Sequence, residues 1–372
     1  MELFQQMADM GHERVLFCSS PEVGLQAIIA VHSTVLGPGL GGVRMWPYQS
    51  MDEALTDVLR LARGMTYKAA ATGLNLGGGK AVILGDPKKD KNEVFFRCFG
   101  RFVESLGGLY ITAEDVGTDV NDMEWIYTET PWVTGVSAAH GGSGDPSPVT
   151  AYGVLQGIKA SAEWRFGEAS LGSRSVAIQG LGSVGYHLAK LVRDEGTKVF
   201  GADVDAERIA RAKEIGVEIV GKDEILGVEC DILAPCALGA VLNDRTIPNL
   251  RCKIVAGAAN NQLADEKRDG QALHDRGILY APDFVINAGG LINVYHELTG
   301  YNRERAMRAA RGIHNNMLRV YEISRDDSIA TYVAADRMAE ERILRNKRLP
   351  PQNWGQHWKR TIRERAVPRN GS

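Results

Sequence analysis

An apolar run, Ser175–Gln179, passes directly into Gly180-Leu181-Gly182-Ser183-Val184-Gly185 and then into a helical pattern through Leu191. Few folds tolerate a strand, a glycine turn and a helix in that immediate order. Gly180 permits a tight turn, Gly182 lets a ligand approach the backbone, and Gly185 lets helix and strand pack closely. Further apolar runs follow at 198–202, 232–234, 253–256 and 278–280, separated by helical patterns. Strands alternating with helices predict a parallel, doubly wound sheet. The fold class is therefore α/β, with a Rossmann-type domain toward the C-terminus.

The helix that opens at Gly182 leaves free N–H groups pointing at whatever lies before them, a setting that suits a pyrophosphate. A lone glycine motif is weak evidence. Here the next strand ends at Asp203, 18 residues beyond Gly185. An acid at that place accepts the ribose hydroxyls and repels a 2′-phosphate, and Asp205 adds to the repulsion. No arginine follows immediately, so NAD is expected rather than NADP. A nucleotide P-loop is disfavoured, because Gly79-Lys80 is followed by Ala81 and position 74 is Leu.

A chain of 372 residues is too long for one ordinary core. Residues 135–148, rich in Gly, Ser and Pro, read as the junction. The expected division is 1–134 as a substrate-binding domain, completed by a C-terminal helix over 331–372, and 135–330 as the cofactor domain, with a cleft between them. The first domain reads as mixed α/β. Strands are expected at 26–32, 81–84 and 110–112. Helices are expected from Asp52, as the cap, through Met65, and over 91–106.

A domain that only holds a cofactor needs reactive groups elsewhere. Three segments offer them: 37–42, 65–80 and 112–118. Lys80 follows three glycines and precedes an apolar strand, a setting that can desolvate an amine and lower its pKa toward that of a base. Lys68 ends an amphipathic helix and can clamp a carboxylate, and Asp115 can pass protons. Taken singly, each also reads blandly: a helix-terminal charge, a surface loop lysine, a turn former.

Other classes lack their signatures. A net charge of −3 with interspersed signs gives no basic stripe for nucleic acid and no polybasic run for a membrane. The one basic excess, Lys347 and Arg348 through Arg369, reads as a solvated final helix. Five cysteines, none in C-x-x-C, predict neither a disulfide framework nor a structural zinc site. No leader or membrane-length apolar run is visible, so a cytoplasmic protein is expected.

Taken together, Leu36–Trp46, Arg63–Lys68, Leu74–Lys80, Ile111–Thr118, Ala258–Gln262 and Tyr280–Gly290 resemble the glutamate/leucine/phenylalanine/valine dehydrogenase family. The likeness is strongest to its leucine-oxidising members and runs from Met1 to about Arg345. It implies reversible NAD-dependent oxidative deamination of a branched-chain L-amino acid to a 2-oxo acid and ammonia. It also implies a homo-oligomer, an octamer in this family. By the resemblance, Lys80 is the catalytic lysine and Asp115 its acid/base partner. Lys68 and Asn287 hold the substrate carboxylate, while Leu40, Gly41, Gly42, Ala113, Leu291 and Val294 surround the substrate. The cofactor lies along Gly180–Gly185, with Thr150, Asp203, Val204, Cys236, Ala237, Asn260 and Asn261 as further contacts.

Glutamate-specific members carry lysine where this chain has Leu40 and serine where it has Val294. A substrate side-chain carboxylate buried there without partners would be costly. Gly39, Val43 and Leu291 depart from the alanine, threonine and valine expected of leucine-oxidising members. An aromatic amino acid as substrate, and a non-catalytic NAD-binding regulator, are the alternatives.

Overall fold

The computed structural model describes residues 3–237 and 239–349. The chain forms two compact units. The first comprises residues up to Gly144, Val294–Arg303 and residues from Ala339 onward, and the second Asp145–Asn293 with Glu304–Met338.

In the first unit the chain runs α1 (Leu3–Met10), β1 (Arg14–Ser20), β2 (Leu25–Ser33), β3 (Gly39–Leu40), β4 (Val43–Trp46), α2 (Met51–Ala71), β5 (Gly77–Leu84), α3 (Glu93–Ser105), β6 (Tyr110–Ile111) and α4 (Val120–Tyr127). The sheet has the order β1-β2-β5-β3-β6, and β4 also pairs with β5. β1, β2 and β5 are antiparallel, whereas β3 and β4 run parallel to β5 and β3 parallel to β6. The sheet is thus mixed.

α2 starts where Ser50, not Asp52, caps it. The Ser50 side chain accepts from Glu53 N, and Asp52 falls in the first turn, where its charge complements the helix dipole. Its face Ala54, Leu55, Val58, Leu59 and Ala62 packs on Ile28, Ala30 and Val82 of the sheet. Each such fully buried large side chain contributes roughly 1.5–3 kcal/mol. The far end of α2 is closed from a distance. Arg342 donates to the carbonyls of Ala69, Ala70, Gly73 and Leu74 and to Asn75 Oδ1, adding to the backbone donors Leu74 N and Gly73 N that already reach Ala69 O and Ala70 O at the helix end.

The triple glycine behaves differently from expectation. Gly77–Gly79 is the beginning of β5 rather than a loop before a strand. Glycine is depleted from strands, but here neighbouring backbone comes too close for side chains. A Cβ on Gly77 would lie 1.9 Å from Ser33 O, and one on Gly78 2.2 Å from Thr66 N.

The second unit holds α5 (Ser147–Phe166), β7 (Ser175–Gln179), α6 (Ser183–Asp194), β8 (Lys198–Ala202), α7 (Ala206–Glu214), β9 (Glu218–Ile219), β10 (Ile232–Pro235), β11 (Ile254–Val255), α8 (Glu266–Asp275), β12 (Leu279–Tyr280) and α9 (Asp283–Ile286). α10 (Gly289–Glu297) carries the chain back to the first unit. α11 (Arg303–Arg311), α12 (Ile313–Asp327) and α13 (Thr331–Asn346) follow. The sheet order is β12-β11-β10-β7-β8-β9, and every pairing is parallel. This is the expected Rossmann-type sheet. Its core gathers Ala177, Leu233, Val255, Leu273 and Tyr280.

The unit boundaries differ from those read in the sequence. Segments 135–144 and 294–303, expected in the second domain, belong to the first. The reason is Glu297, whose buried carboxylate accepts from Gly135 N at 2.9 Å, Ser143 N at 2.9 Å and Ser143 Oγ at 2.5 Å. Three donors compensate the burial of that charge and bind the two segments together. Of the expected final helix, residues 350–372 lie outside the described residues, as do the basic residues from Lys359 to Arg369.

Candidate functional site

In the first unit the parallel strands bring the three chemistry-bearing segments side by side. Gly41 N donates to Ile111 O at 3.2 Å, Val43 N to Ala113 O at 2.8 Å, and Ala81 N to Gly42 O at 3.3 Å. Gly42 is required for this approach, because a Cβ there would stand 2.3 Å from Glu114 O.

Lys80 lies within β5 and is buried, with 5 % exposure, so it is not a surface loop lysine. Its Nζ lies 2.9 Å from Asp115 Oδ2. Burial drives the lysine pKa below its ordinary value, against the pull of Asp115. Burial would raise the Asp115 carboxyl, but Lys80 and Arg44 outweigh it and hold the group below the usual carboxylate range. The pair therefore has the character of a proton-transfer couple: an amine that parts with its proton unusually easily beside a carboxylate kept ionised.

Leu40 and Ala113 are buried nearby in the same sheet. Tyr110 Oη donates to Gly41 O at 2.6 Å and fixes the turn between them. Lys68 is half-buried on the last full turn of α2, and Val294 is half-buried in the segment that returns to this unit.

Two residues in this cluster were not singled out from the sequence. Arg44 Nε donates to the same Asp115 Oδ2 at 2.9 Å, and its Nη1 donates to Asp57 Oδ2 at 3.0 Å. The one available signal was the place of Arg44 inside the conspicuous 36–46 segment. Asp57 sits on α2 and carried none.

In the second unit the candidate groups are mostly backbone. Gly180 takes φ +94°, a left-handed conformation open to glycine, at the end of β7. A Cβ on Gly185 would lie 1.9 Å from Gly180 O. Gly182 has space before it: a Cβ there would come within 4 Å of Arg208 Nη1 alone, at 3.7 Å. The N-terminus of α6, with Gly182 at the cap and no side-chain cap, points N–H donors into that space. Ser183 is exposed and Val184 half-buried on its first turn. Leu181 turns its side chain into the core, leaving only its backbone at the turn. These features fit a pyrophosphate.

Asp203 stands at the end of β8, with exposed Val204 beside it. Its Oδ2 accepts from Leu181 N at 2.6 Å, and its Oδ1 from Val204 N and Asp205 N at 2.8 and 3.0 Å. Burial opposes its ionisation, but these donors prevail and keep its pKa low. α7 brings Arg208 Nη1 to 3.8 Å from Asp203 Oδ1, so a basic residue is near after all.

Cys236 and Ala237 follow β10 in the turn beside Gly180, and burial pushes the Cys236 thiol up to about 12, which suits packing rather than reactivity. Thr150 Oγ1 donates to Pro146 O at 3.0 Å in the first turn of α5. Asn287 Nδ2 donates to Ala258 O and to Asn260 Oδ1 at 3.1 and 2.7 Å, which joins the two expected asparagines. Asn261 is exposed, and Leu291 is buried in α10.

Residues 12–132 match a family model described as Glu/Leu/Phe/Val dehydrogenase, dimerisation domain. Residues 141–206 and 202–347 match one described as Glutamate/Leucine/Phenylalanine/Valine dehydrogenase. A leucine dehydrogenase from Geobacillus stearothermophilus is 58% identical over 360 residues, covering 96% of this chain and 98% of the relative. A phenylalanine dehydrogenase from Caldalkalibacillus thermarum is 46% identical, covering 93% and 94%. Among solved structures, the L-tryptophan dehydrogenase of Nostoc punctiforme superposes with a TM-score of 0.84 at 44% identity, covering 93% of this chain and all (100%) of that one.

Proposed function

The chain belongs to the glutamate/leucine/phenylalanine/valine dehydrogenase family, and from that premise we propose that it oxidatively deaminates branched-chain L-amino acids, leucine first, to 2-oxo acids and ammonia. The observation that carries this reading is the Lys80–Asp115 pair, with the apolar Leu40 and Ala113 buried in the same unit. Identity to leucine dehydrogenases, above that to phenylalanine dehydrogenases, supports the aliphatic substrate.

The cofactor assigned is NAD, held by Gly180–Gly185 with Asp203 toward its ribose; when bound, it supplies the acceptor for the α-hydrogen and its electron pair. Lys68 holds the substrate carboxylate. Lys80 in its neutral form takes a proton from the water that adds to the imine carbon. Asp115, kept ionised, takes a proton from the substrate ammonium before the oxidation and returns it to the departing nitrogen; it then accepts the proton of the carbinol hydroxyl as the carbonyl forms and ammonia leaves. A general base of this kind contributes on the order of 10²- to 10⁴-fold. Leu40 and Val294 are assigned to the substrate side chain, each buried methylene adding about 0.8 kcal/mol.

We also infer a homo-oligomer of eight chains acting in the cytoplasm. Light scattering on the purified protein tests the assembly. No described helix is long and apolar enough to cross a membrane.

Initial rates with NAD and leucine, valine, isoleucine, phenylalanine and glutamate test the reaction. Leucine, valine and isoleucine should all be turned over and should differ modestly, because one methylene is worth about 1–3 kcal/mol. Faster turnover of glutamate or phenylalanine than of every branched substrate would refute the pocket assignment. Binding of NAD with no reduction on any substrate would instead identify a non-catalytic regulator.

A further inference from the structure

Two cations share one oxygen of Asp115. Lys80 Nζ and Arg44 Nε each lie 2.9 Å from Oδ2. Arg44 is held at both ends. Its backbone is fixed in β4, where Val43 N donates to Ala113 O and Met45 N to Val116 O. Its other arm donates to Asp57 Oδ2, which also accepts from Tyr48 Oη at 2.8 Å, while Asp57 Oδ1 accepts from Arg60 Nη2 at 3.3 Å. A planar guanidinium spans two carboxylates in fixed geometry; an ammonium on a flexible stem does not.

The environment gives these charges reach. The side chains of Lys80, Asp57, Arg44 and Asp115 are 6%, 16%, 23% and 24% exposed. The groups facing the pair are Arg44 from β4, Asp57 and Arg60 from α2, Tyr48 before α2, and Tyr110 from β6. Glu114, next along the chain, extends toward Gly135. Alone, Lys80 and Asp115 would close into an ammonium–carboxylate pair and keep the proton on the amine. A second cation on the same oxygen competes for Asp115 and repels charge on Lys80, and Asp57 moderates that cation.

We propose that Arg44 is a positioning residue for the deamination: clamped by Asp57, it aims one oxygen of Asp115 at Lys80 and biases the pair toward a neutral amine. This rests on the assignment of Lys80 and Asp115 as the reacting pair.

The test is the pH dependence of kcat and kcat/KM for leucine with NAD, in the parent enzyme and in Arg44→Gln, Arg44→Lys, Asp57→Asn and Lys80→Ala. In Arg44→Gln the acid limb of the profile should move to higher pH by roughly one unit or more, since a neighbouring charge moves a titration by about one to three units. Turnover should then fall about tenfold near neutrality, recover in alkali, and leave the KM for NAD unchanged. Arg44→Lys should return the limb toward its parental place. Asp57→Asn, which removes an opposing anion, should move it to lower pH.

A loss in Arg44→Gln that is equal at every pH, or an unaltered profile, would overturn the proposal. If Arg44→Gln does not fold, an unmoved limb in Asp57→Asn overturns it. Lys80→Ala separates the two levels: substantial turnover there refutes the underlying assignment, whereas an inactive Lys80→Ala beside an unaltered Arg44→Gln refutes the role of Arg44 alone.

Discussion

The groups proposed for chemistry differ in kind between the two units. In the first, the groups proposed for the chemistry are charged side chains withdrawn from water, Lys80 and Asp115 within a chain of alternating charge that continues through Arg44 to Asp57. In the second, the surface proposed for the cofactor is backbone: Gly180, Gly182 and Gly185 shape a turn, the free end of α6 offers donors, and one carboxylate, Asp203, stands beside it. Side-chain chemistry in a buried site is sensitive to the identity of single atoms, because an unpaired buried charge is costly. A backbone site depends instead on what is left out, namely every Cβ that would close the turn.

That contrast can be broken most sharply at Lys80. Lys80→Ala should lower kcat by about 10²- to 10⁴-fold while leaving NAD affinity intact, measured by steady-state kinetics and by fluorescence titration. A variant with near-normal turnover would remove the chemical role from the first unit altogether.

Acid should separate the units next. Burial, with His12 close by, lowers the His32 pKa to about 4; its ring nitrogens contact Thr66 Oγ1 and Met10 O. The unfolded chain, with an ordinary histidine near 6.5, binds more protons across that interval. Stability therefore falls as pH drops through 6.5 and stops falling from this source near 4, a loss of about 3 kcal/mol. Hydrogen exchange at pH 7 and pH 5 should show α2 and β2 losing protection before β7 and β8. Equal loss in both units would contradict the pairing of buried histidines with acid sensitivity.

In the second unit, Gly185→Ala should weaken NAD binding and destabilise the β7–α6 junction by roughly 1–3 kcal/mol, the usual range for overpacking, because the added methyl meets Gly180 O. Calorimetric binding and thermal melting would read both effects. Unchanged NAD affinity would mean the turn is not the cofactor's seat.

The smallest effect is expected at Asp203. Asp203→Ala should raise NADP use relative to NAD by about tenfold, since a hydrogen bond to a charged group is worth roughly 1.5–3 kcal/mol and Arg208 already stands 3.8 Å away. Comparable NAD and NADP use in the parent enzyme would refute the ribose assignment.

The same contrast explains what could be read in advance. β7 and β8 were read to their exact residues because continuous apolar runs end at glycine or acid. β1 and β4 were not, since β1 is an edge strand of mixed exposure and β4 alternates Arg and Trp with buried residues. Gly77–Gly79 resisted for another reason: what makes it a strand is pairing with β2 and β3, and what makes it glycine is the closeness of Ser33 and Thr66, 44 and 12 residues away (77−33 and 78−66). Lys80 and Asp115 stood out by their settings, but their partners did not. Asp57 and Arg44 meet only because α2 packs across the sheet, and no local periodicity encodes that meeting.

The way Arg342 closes α2 sets a timetable for synthesis. The end of the helix that carries Lys68, and the turn after it, lack the Arg342 donors at carbonyls 69, 70, 73 and 74 until a residue some 270 positions later is made. The donors at Gly135 and Ser143 likewise wait for Glu297. Domains commonly fold as they leave the ribosome, N-terminal part first. Here the N-terminal unit is finished last, after the whole second unit has emerged. A nascent chain released early would therefore present a completed second unit tethered to a first unit whose principal helix still lacks its Arg342 contacts.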